Sequence, residues 1–581
     1  LSMDELKNFR QMGSKTPGHP EFGVTPGVEM ATGPLGQGFA TGVGFAMAER
    51  YLAAQFNTAS QTLIDHYTYA IVSDGDLMEG VSHEAASLAG HLSLEKLIYL
   101  YDSNSISIEG ETNLAFTEDV IERFIAYNWQ VIKVDGHNHE HIEQTILKAK
   151  ANTEQPSLIV CETKIGYGSP NKEGKESSHG APLGVDEIRS TKMGYGLNPD
   201  DHFHVERQVY DVFQASAELG AALELDWNNK LTHLEKNDPV LYTKFISWTN
   251  QTYLQNITDV LPEFDADSKG MATRTSSGKV INALKDTIPN LIGGSADLGP
   301  STKTDIIGAG SYTQYNHEGR IIHFGVREFG MAAAVNGIML HGGLHAFGAS
   351  FFVFTDYLRP ALRLAALMKI PSIFVMTHDS IGLGEDGPTH QPVEHLASLR
   401  AMPNLLVLRP ADANEVSHAW KVALEHKTGP SVLVLTRQNV PIYSRNTDNS
   451  AELVVKGGYV LSEAENGEAE GIVIATGSEV QLAMQAQAEL AKKGTRVRVV
   501  SLPSWELFDV QSAEYKNSVL PIHLTKRVSI EAGSTFGWQK YLGIEGRAIG
   551  IDSFGESAPF EELYEHFNIS SNAIVAYFND Q

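Results

Sequence analysis

YAIVSDGDLMEG (residues 69–80) and KLIYLYDSNSI (residues 96–106) decide the fold of this chain of 581 residues. Residues 69–72 and 97–101 are apolar runs of the kind that form buried parallel strands. Residues 80–92 between them favour one helix, which makes the unit strand–helix–strand. Asp74 and Gly75 follow the first strand, and Asn104 follows the second. These residues are therefore expected at one edge of a parallel sheet, where open α/β sheets bind ligands.

Three oxygen ligands are expected to converge at this edge: the Asp74 carboxylate, the Asn104 amide and the backbone carbonyl of Ile106. Hard oxygen donors suit Mg²⁺ or Ca²⁺, and such ions commonly also hold phosphate oxygens. Gly75 would let a phosphate approach the backbone closely. An Asp-Gly pair alone indicates an ordinary turn. The spacing to Asn104 favours a metal site instead.

The composition limits the partners of the protein. With 44 basic and 71 acidic residues the formal charge is −27, which argues against nucleic acid or an anionic membrane as partner. An anionic substrate would need a local cluster of arginine and histidine. The single cysteine, Cys161, lies in an apolar run and indicates a core residue in a reducing compartment. With no signal peptide and no apolar run of spanning length, the sequence predicts a cytoplasmic protein.

Alternating strand and helix patterns predict three consecutive α/β domains, each with a mainly parallel sheet flanked by helices. The predicted boundaries are 1–248 for the first domain, 249–270 for a linker, 271–442 for the second domain, 443–454 for a second linker and 455–581 for the third domain. The third domain carries no histidine or acid pair with a clear task. Its TGSE turn at residues 476–479 could hold an anion, but a structural or assembling role is favoured.

Several loop residues are ambiguous when each is taken alone. His19 lies in a Pro- and Gly-rich loop, and a histidine there is more often solvated than catalytic. The Gly-rich turn at residues 33–38 presents N–H groups to anions, although its small residues also suit close helix packing. His179 lies in a Gly- and Ser-rich loop that could close over a site. Glu328 stands in the first turn of a helix, where the helix dipole already favours an acid.

The second domain contains a denser signal. The loop THDSIGLGEDGPTHQP (residues 377–392) follows a buried strand and carries His378, Asp386 and His390. A solvated loop is a poor explanation for so many titratable groups at a strand end. Phe351, Phe354 and Tyr357 recur at three-residue spacing, which by itself indicates a core stripe.

Seven strings together resemble transketolase from the first helix to the end of the chain. They are SKTPGHPE (14–21), TGPLGQG (32–38), SDGDLMEG (73–80) with SNSISI (103–108), GGSADLGPS (293–301), VREFGM (326–331) and THDSIGLGEDGPTHQP. The resemblance implies two thiamin-diphosphate-binding α/β domains followed by a smaller C-terminal α/β domain. It also implies transfer of a two-carbon ketol unit from a ketose phosphate such as xylulose 5-phosphate to an aldose phosphate such as ribose 5-phosphate or erythrose 4-phosphate, in the pentose phosphate pathway. Transketolases are homodimers that hold the cofactor between the first domain of one chain and the second domain of the other.

The resemblance also assigns residues to the cofactor. It implies Asp74, Asn104 and the Ile106 carbonyl as ligands of Mg²⁺ or Ca²⁺. The implied neighbours of thiamin diphosphate are Gly33, Leu35, Gly75, Asn104, His179, Asp297, Glu328, Phe351, Phe354 and Tyr357. Glu328 is the acid implied to bond the aminopyrimidine ring, where a carboxyl favours the tautomer that can act as a base.

For the substrate, the resemblance implies a phosphate grip made of Arg274, Ser301, His378 and Arg437. Two guanidiniums and an imidazole would form the local cluster that an anionic substrate needs on an acidic protein. Asp386 is implied to recognise a sugar hydroxyl. The resemblance also implies that His19, His179 and His390 surround the reacting carbons. Imidazoles suit this place because they donate or accept protons near neutral pH.

One departure from the family bears on activity. Transketolases carry a segment with two further histidine motifs ahead of the point where this sequence starts, so the first domain is expected to be incomplete at its N-terminus. Two alternatives follow. The chain could be a cofactor-binding but inactive fragment or scaffold, or an enzyme like 1-deoxyxylulose-5-phosphate synthase. The paired arginines and the GEDGPTHQP string argue against the synthase.

Overall fold

A computed structural model describes residues 1–465 and 467–579, apart from the side chain of Asn256. Asn466 and the last two residues of the predicted third domain, 580 and 581, lie outside the described residues. The chain divides into two compact units. The first consists of residues 1–250, 312–318 and 336–344, and the second of residues 251–311, 319–335 and 345–581. In the described part of the chain, no helix has the length and apolar character needed to cross a membrane.

The first unit contains a four-stranded, fully parallel sheet with the strand order β1-β2-β4-β3. Its strands are β1 (Thr68–Ser73), β2 (Leu97–Ser103), β3 (Gln130–Asp135) and β4 (Ser157–Glu162). Its helices are α1 (Met3–Lys7), α2 (Gln37–Phe56), α3 (Asp74–Met78), α4 (Gly80–His91), α5 (Val120–Ala126), α6 (His139–Lys150), α7 (Val185–Gly194), α8 (Arg207–Asn237) and α9 (Pro239–Asn250), with 3-10 turns at Thr112–Leu114 and Glu176–Ser178. The predicted parallel pair β1 and β2 is confirmed.

Aromatic packing fixes the glycine-rich helix α2 against strand β2. The Tyr99 hydroxyl donates a hydrogen bond of 2.5 Å to the Phe39 carbonyl, and the two rings meet edge to face at 4.6 Å. A Cβ atom on Gly42 would lie 2.2 Å from the Tyr99 hydroxyl oxygen. Only glycine fits at that position, because the helix backbone lies directly against the tyrosine.

One local expectation about the opening stretch was wrong. Strand β1 is an edge strand, so Tyr69 and Ile71 are 46% and 81% exposed instead of buried. The predicted helix from residue 80 is confirmed as α4, but a separate short helix that was not expected, α3, precedes it from Asp74. Ser73 caps α3 through a capping box with Asp76, which satisfies N–H groups that the first turn of a helix leaves free. The side chain of Ser73 is therefore part of the turn.

Two larger sheets build the second half of the chain. The strands are β5 (Asp267–Ala272), β6 (Leu291–Ser295), β7 (Ser311–Tyr312), β8 (Ile321–His323), β9 (His345–Phe351), β10 (Ile373–Thr377), β11 (Leu406–Leu408), β12 (Ser431–Leu435), β13 (Asn439–Ile442), β14 (Tyr459–Ser462), β15 (Gly471–Ala475), β16 (Val497–Ser501), β17 (Arg527–Ile530) and β18 (Arg547–Ile549). One sheet has the order β11-β12-β10-β9-β6-β8-β7 and is parallel from β11 to β8. The other has the order β14-β16-β15-β17-β18, with only β14 antiparallel.

Helices surround these sheets. They are α10 (Thr273–Leu284), α11 (Gly299–Thr302), α12 (Glu328–His341), α13 (Thr355–Met368), α14 (His395–Arg400), α15 (Ala413–Glu425), α16 (Val480–Lys492), α17 (Trp505–Asp509), α18 (Ala513–Val519), α19 (Gln539–Leu542), α20 (Phe560–His566) and α21 (Ser571–Asn579). Further 3-10 turns are Thr252–Val260, Phe352–Phe354, Ile381–Leu383, Ala451–Lys456 and Gly477–Glu479. Both predicted linkers contain 3-10 turns, and β5 pairs antiparallel with β13. The predicted α/β class with mainly parallel sheets is confirmed.

Candidate active site

The first half-site lies at the carboxyl ends of β1 and β2. Asp74 is buried, and its Oδ1 accepts a hydrogen bond of 2.5 Å from the Tyr101 hydroxyl. Its Oδ2 is buried and makes no hydrogen bond of normal geometry with any described residue. Burial raises the pKa of Asp74, and the Tyr101 hydroxyl and backbone groups of Asn104 and Ser105 offset part of that effect. The predicted neighbourhood of Asp74 and Asn104 is thus present in the structure.

A tight turn brings Asn104 and Ile106 together. The Asn104 Oδ1 accepts a hydrogen bond of 3.0 Å from the Ile106 N–H, and Ser105 between them has φ 61°. Side-chain amides often close their own backbone turn in this way. The turn holds the Asn104 amide and the Ile106 carbonyl in one short loop after β2.

Asp76 ties the Gly-rich turn to the end of β1, and the sequence reasoning missed it. Its Oδ2 accepts hydrogen bonds from the N–H (2.9 Å) and the hydroxyl (2.8 Å) of Ser73. Its Oδ1 accepts one of 2.9 Å from the N–H of Gly36. Gly36 has φ 77° and precedes α2. The Ser-x-x-acid spacing of a capping box was the signal that could have identified Asp76.

Of the remaining candidates in the first unit, Gly33, Leu35, Gly75 and His19 lie around this turn, whereas no described side-chain contact joins His179 to them. A Cβ atom on Gly75 would lie 2.9 Å from the Leu35 Cδ1, and one on Gly33 would lie 3.3 Å from the Cγ of His19. His19 is exposed. His179 is also exposed and donates its backbone N–H to the Glu176 carbonyl at 2.8 Å. Among the described residues, no hydrogen bond or ring contact joins the His179 side chain to the other candidates.

The second half-site contains an aromatic wall beside a buried acid. The rings of Phe351 and Phe354 stack with centroids 6.1 Å apart, and the Tyr357 ring follows 6.0 Å from Phe354. Tyr357 is 64% exposed, so the core-stripe interpretation fails for it. Glu328 is the first residue of α12 and is buried; the Ser350 hydroxyl lies 3.5 Å from its Oε1. Burial raises the pKa of Glu328.

A cationic group of side chains lies next to this wall. The buried His378 ring stacks on Phe351 at 3.6 Å. Burial, then the charges of Arg274 and Arg437, then His390, lower the pKa of His378 to about 3. The Arg274 Nη1 donates a hydrogen bond of 2.8 Å to the Ser301 carbonyl. The structure therefore gathers four of the predicted residues around a neutral imidazole.

Reciprocal threonine hydrogen bonds set the positions of the two arginines. The Thr273 N–H donates to the Thr436 hydroxyl oxygen at 2.9 Å, and the Thr436 N–H donates to that of Thr273 at 2.7 Å. Arg274 and Arg437 follow these threonines directly. The start of α10 and the end of β12 are thereby fixed side by side.

Two predicted acids stand apart from this group. Asp297 and Asp386 are exposed, and Asp297 has φ 61° just after β6. Among the described residues, neither side chain makes a hydrogen bond to another candidate. Their assignment stays a prediction.

One cluster of carboxylates and a histidine elsewhere has metal-ligand composition, but its geometry is poor for a shared ion. Asp356 Oδ2 lies 3.2 Å from His395 Nε2, whereas Glu394 Oε2 lies 3.8 Å from Nδ1. A metal binds only one imidazole nitrogen at a time, and the two carboxylates face different nitrogens. This cluster does not include the predicted metal ligands.

The residues present fit thiamin diphosphate and a divalent cation. The unpartnered Oδ2 of Asp74 is a buried acceptor that a cation would satisfy. The buried carboxyl of Glu328 beside the aromatic wall suits a heteroaromatic ring that shares a proton. Asp74 belongs to the first unit and Glu328 to the second.

Comparisons with known families agree with these half-sites. Residues 1–253 match the family model "Transketolase, thiamine diphosphate binding domain", residues 269–442 match "Transketolase, pyrimidine binding domain", and residues 457–570 match "Transketolase-like TK C-terminal domain". The protein is therefore a thiamin-diphosphate-dependent enzyme.

The chain is 53% identical to the transketolase of Geobacillus stearothermophilus over 577 residues, which cover 99% of this chain and 86% of that protein. It is 51% identical to the transketolase of Bacillus subtilis, with the same coverage. The structure of transketolase from Leishmania mexicana matches with a TM-score of 0.95 at 44% identity, covering 99% of this chain and 84% of the other. A Pichia stipitis transketolase in complex with sedoheptulose-7-phosphate matches with a TM-score of 0.94 at 41% identity, covering 99% and 85%.

The chain belongs to the transketolase family. Its activity is transfer of a two-carbon ketol unit, and its cofactor is thiamin diphosphate. The alternatives of an inactive scaffold and of a deoxyxylulose-phosphate synthase are not supported, because similarity to transketolases extends over 99% of the chain.

Proposed function

We propose that this transketolase works on sugar phosphates and grips their phosphate with Arg274, Arg437, Ser301 and His378. The observation that carries the proposal is the gathering of two guanidiniums around the His378 imidazole beside the aromatic wall. Arginine suits phosphate because its planar fork of N–H donors forms paired, charge-assisted hydrogen bonds. On a chain with a formal charge of −27, such a cluster is a local exception that favours an anion.

His378 would act in this grip as a neutral donor. Its pKa of about 3 in the free protein leaves the imidazole uncharged at neutral pH. The Thr377 hydroxyl lies 2.8 Å from the His378 Nδ1, which leaves Nε2 free to face a substrate. The two arginines would then supply the positive charge, and the imidazole would orient the phosphate through a hydrogen bond.

The first half-site would hold the diphosphate through a divalent cation. Asp74 Oδ2, the Asn104 amide oxygen and the Ile106 carbonyl are the proposed ligands, and Mg²⁺ or Ca²⁺ suits an all-oxygen set. Gly33, Leu35 and Gly75 would line the diphosphate, supported by Asp76. Tyr101 orients the carboxylate of Asp74 by holding its other oxygen.

The second half-site would hold the pyrimidine ring and handle protons. When bound, thiamin diphosphate supplies the nucleophilic carbon that carries the two-carbon unit. Glu328, with its raised pKa, would share a proton with the ring between Phe351, Phe354 and Tyr357. His390 lies 5.5 Å from Phe354, ring to ring, and would move hydroxyl protons of the substrate. His19 and His179 are proposed for the same task from the first unit, Asp386 for a sugar hydroxyl and Asp297 for the cofactor pocket.

The setting of the enzyme is proposed from its family and composition. We place it in the pentose phosphate pathway, as a homodimer whose two chains complete each other's sites. A cytoplasmic location agrees with the single cysteine, Cys161, which is buried and unpaired.

The test is the Arg437→Ala variant assayed with ribose 5-phosphate and with ribose as acceptors. Loss of a charge-assisted hydrogen bond costs about 1.5–3 kcal/mol, on the order of ten- to a hundred-fold in kcat/KM. We expect that loss for ribose 5-phosphate and little change for ribose. Arg547→Ala, which removes another exposed arginine, is the control and should behave like wild type. Equal losses on both acceptors would show that Arg437 is structural.

A further inference from the structure

A buried ion network joins the third domain to the loop that carries the proposed substrate residues. At its centre is Arg409, which follows β11 and whose side chain is fully buried. Its Nε and Nη2 donate to Asp379 Oδ2 at 3.1 and 2.7 Å. Its Nη1 donates to Glu479 Oε2 at 2.5 Å and to the Thr476 hydroxyl oxygen at 2.8 Å. A single guanidinium therefore connects the residue after His378 with the TGSE turn.

The TGSE turn thus binds a cation of its own chain, which agrees with the structural role that the sequence favoured over an anion site. Thr476, Ser478 and Glu479 are all buried. A Cβ atom on Gly477, which has φ 52°, would lie 2.7 Å from the Arg409 Nε. The Tyr564 hydroxyl donates to Glu479 Oε1 at 2.7 Å. The turn is built around the guanidinium.

The backbone at His378 needs this support. His378 has φ 62°, a left-handed conformation that residues other than glycine adopt uncommonly and at some cost. Such a conformation persists only where the surroundings determine it. On one side the ring is stacked on Phe351 at 3.6 Å. On the other side the next residue, Asp379, is fixed by two hydrogen bonds from Arg409.

A second contact holds the far end of the same loop. The Gln391 Nε2 donates to the carbonyls of Gly384 and Glu556, both at 2.9 Å. The Ser557 hydroxyl donates to the Glu385 carbonyl at 2.6 Å. A Cβ atom on Gly555 would lie 1.7 Å from the Gln391 Oε1, so this segment of the third domain lies directly against the loop. Residues 378–391 are therefore held at one end by Arg409, which the third domain binds through Thr476 and Glu479, and at the other end by the third domain directly.

We propose that the third domain positions the substrate loop, residues 378–391, and that it does so mainly through Arg409 of the second domain. The proposal rests on the proposed phosphate grip and gives the C-terminal domain a role in substrate recognition without contact with the substrate. Arg409 would set where the His378 imidazole stands, and Ser557 would set the segment that leads to Asp386 and His390.

The test is Arg409→Lys, which keeps the charge and removes the fork that spans Asp379 and the TGSE turn. We expect the ratio of kcat/KM for ribose 5-phosphate to that for ribose to fall on the order of tenfold, because small displacements of positioning groups are costly. The activity with ribose and the cofactor concentration for half-maximal activity should change little. Ser557→Ala should instead lower kcat/KM for both acceptors about fivefold, the size expected for one hydrogen bond, because the segment it holds leads to Asp386 and His390 and not to the phosphate grip.

The matched control is Arg445→Lys. Arg445 is partly buried between the second and third domains, where it donates to Asp412 Oδ2 at 2.7 Å and to the Tyr459 hydroxyl oxygen at 2.5 Å. In the described structure it makes no contact with residues 378–391. Its variant should be destabilised in thermal unfolding but keep the wild-type ratio.

Three outcomes would overturn the proposal. The first is an equal loss on both acceptors in Arg409→Lys, and the second is the same fall in the ratio in Arg445→Lys. If Arg409→Lys does not fold, an unchanged kcat/KM for both acceptors in Ser557→Ala is the third. Arg437→Ala separates this failure from that of the proposed function. If Arg437→Ala lowers the ratio while Arg409→Lys leaves it unchanged, or while Ser557→Ala leaves kcat/KM unchanged, the phosphate grip stands and the positioning role is wrong.

Discussion

At the scale of single residues, the unpartnered oxygen of Asp74 is the most informative atom of the first half-site. Buried polar atoms almost always have a hydrogen-bond partner, and here one carboxylate oxygen is satisfied by Tyr101 while the other makes no hydrogen bond of normal geometry among the described residues. The Oδ2 atom of this buried carboxylate is therefore available to a ligand such as a cation.

We therefore expect Asp74→Ala to abolish metal-dependent cofactor binding. Without the charged ligand, a bound diphosphate would face an uncompensated site. The measurement is calorimetric titration with thiamin diphosphate at a series of Mg²⁺ concentrations. Asp135→Ala removes an acid at the end of β3, the edge strand on the opposite side of the same sheet, and is the control. Wild-type affinity with unchanged metal dependence in Asp74→Ala would contradict the metal assignment.

At the scale of elements, polar residues just after the ends of strands β10, β11, β15 and β17 form the network around Arg409. Asp379, Arg409, Thr476 and Glu531 each follow one of these strands closely in sequence. Both Nη atoms of Arg400 donate to Glu531 at 2.8 Å, and the Thr476 hydroxyl donates to it at 2.5 Å. The strand ends of α/β sheets commonly bind ligands. Here the residues that follow these strand ends bind one another and so join the two sheets.

This network predicts an acid-sensitive contribution to stability. Burial alone would raise the pKa of Glu531, but Arg400, then Arg409 and Thr476, outweigh it and lower the value from 4.5 to about 2. A lowered folded-state pKa stabilises the fold above the unfolded value, so the contribution is complete above pH 4.5 and is lost as the pH falls towards 2. The linkage corresponds to about 3 kcal/mol.

Urea unfolding of wild type and Glu531→Gln between pH 6 and pH 3 measures this contribution. The amide cannot titrate, so the stability advantage of wild type should shrink as the pH falls, while the other acids cancel in the comparison. A difference that stays constant across this range would show that Glu531 does not titrate as stated.

At the scale of the whole molecule, exposed apolar side chains beside the second half-site indicate a surface that a ligand or a partner covers. Val326, two residues before Glu328, is 74% exposed, and Tyr357 of the aromatic wall is 64% exposed. Exposed apolar groups next to a site mark places where a ligand or a protein partner binds. The proposed homodimer would cover them with a second copy of the chain.

We expect the protein to sediment at about twice its chain mass of 63.4 kDa. Val326→Asp should shift the equilibrium towards the monomer, because a charge would have to be buried in the interface. Val510→Asp changes a side chain of similar exposure, 78%, and should leave the mass unchanged. A monomer in the wild type at micromolar concentration, with cofactor present, would contradict the homodimer.

The sequence by itself determined the fold class, the parallel pairing of the first two strands and the family. Local pattern is enough for these, since apolar runs, glycine turns and motif spacing are properties of neighbouring residues. It also named Arg274, His378 and Arg437, which the structure gathers. The tertiary structure alone decided that β1 is an edge strand, that Asp76 binds Gly36 across forty residues, and that the TGSE turn receives Arg409. These depend on which segments meet in space, and a buried charge reveals its partner only when the chain is folded.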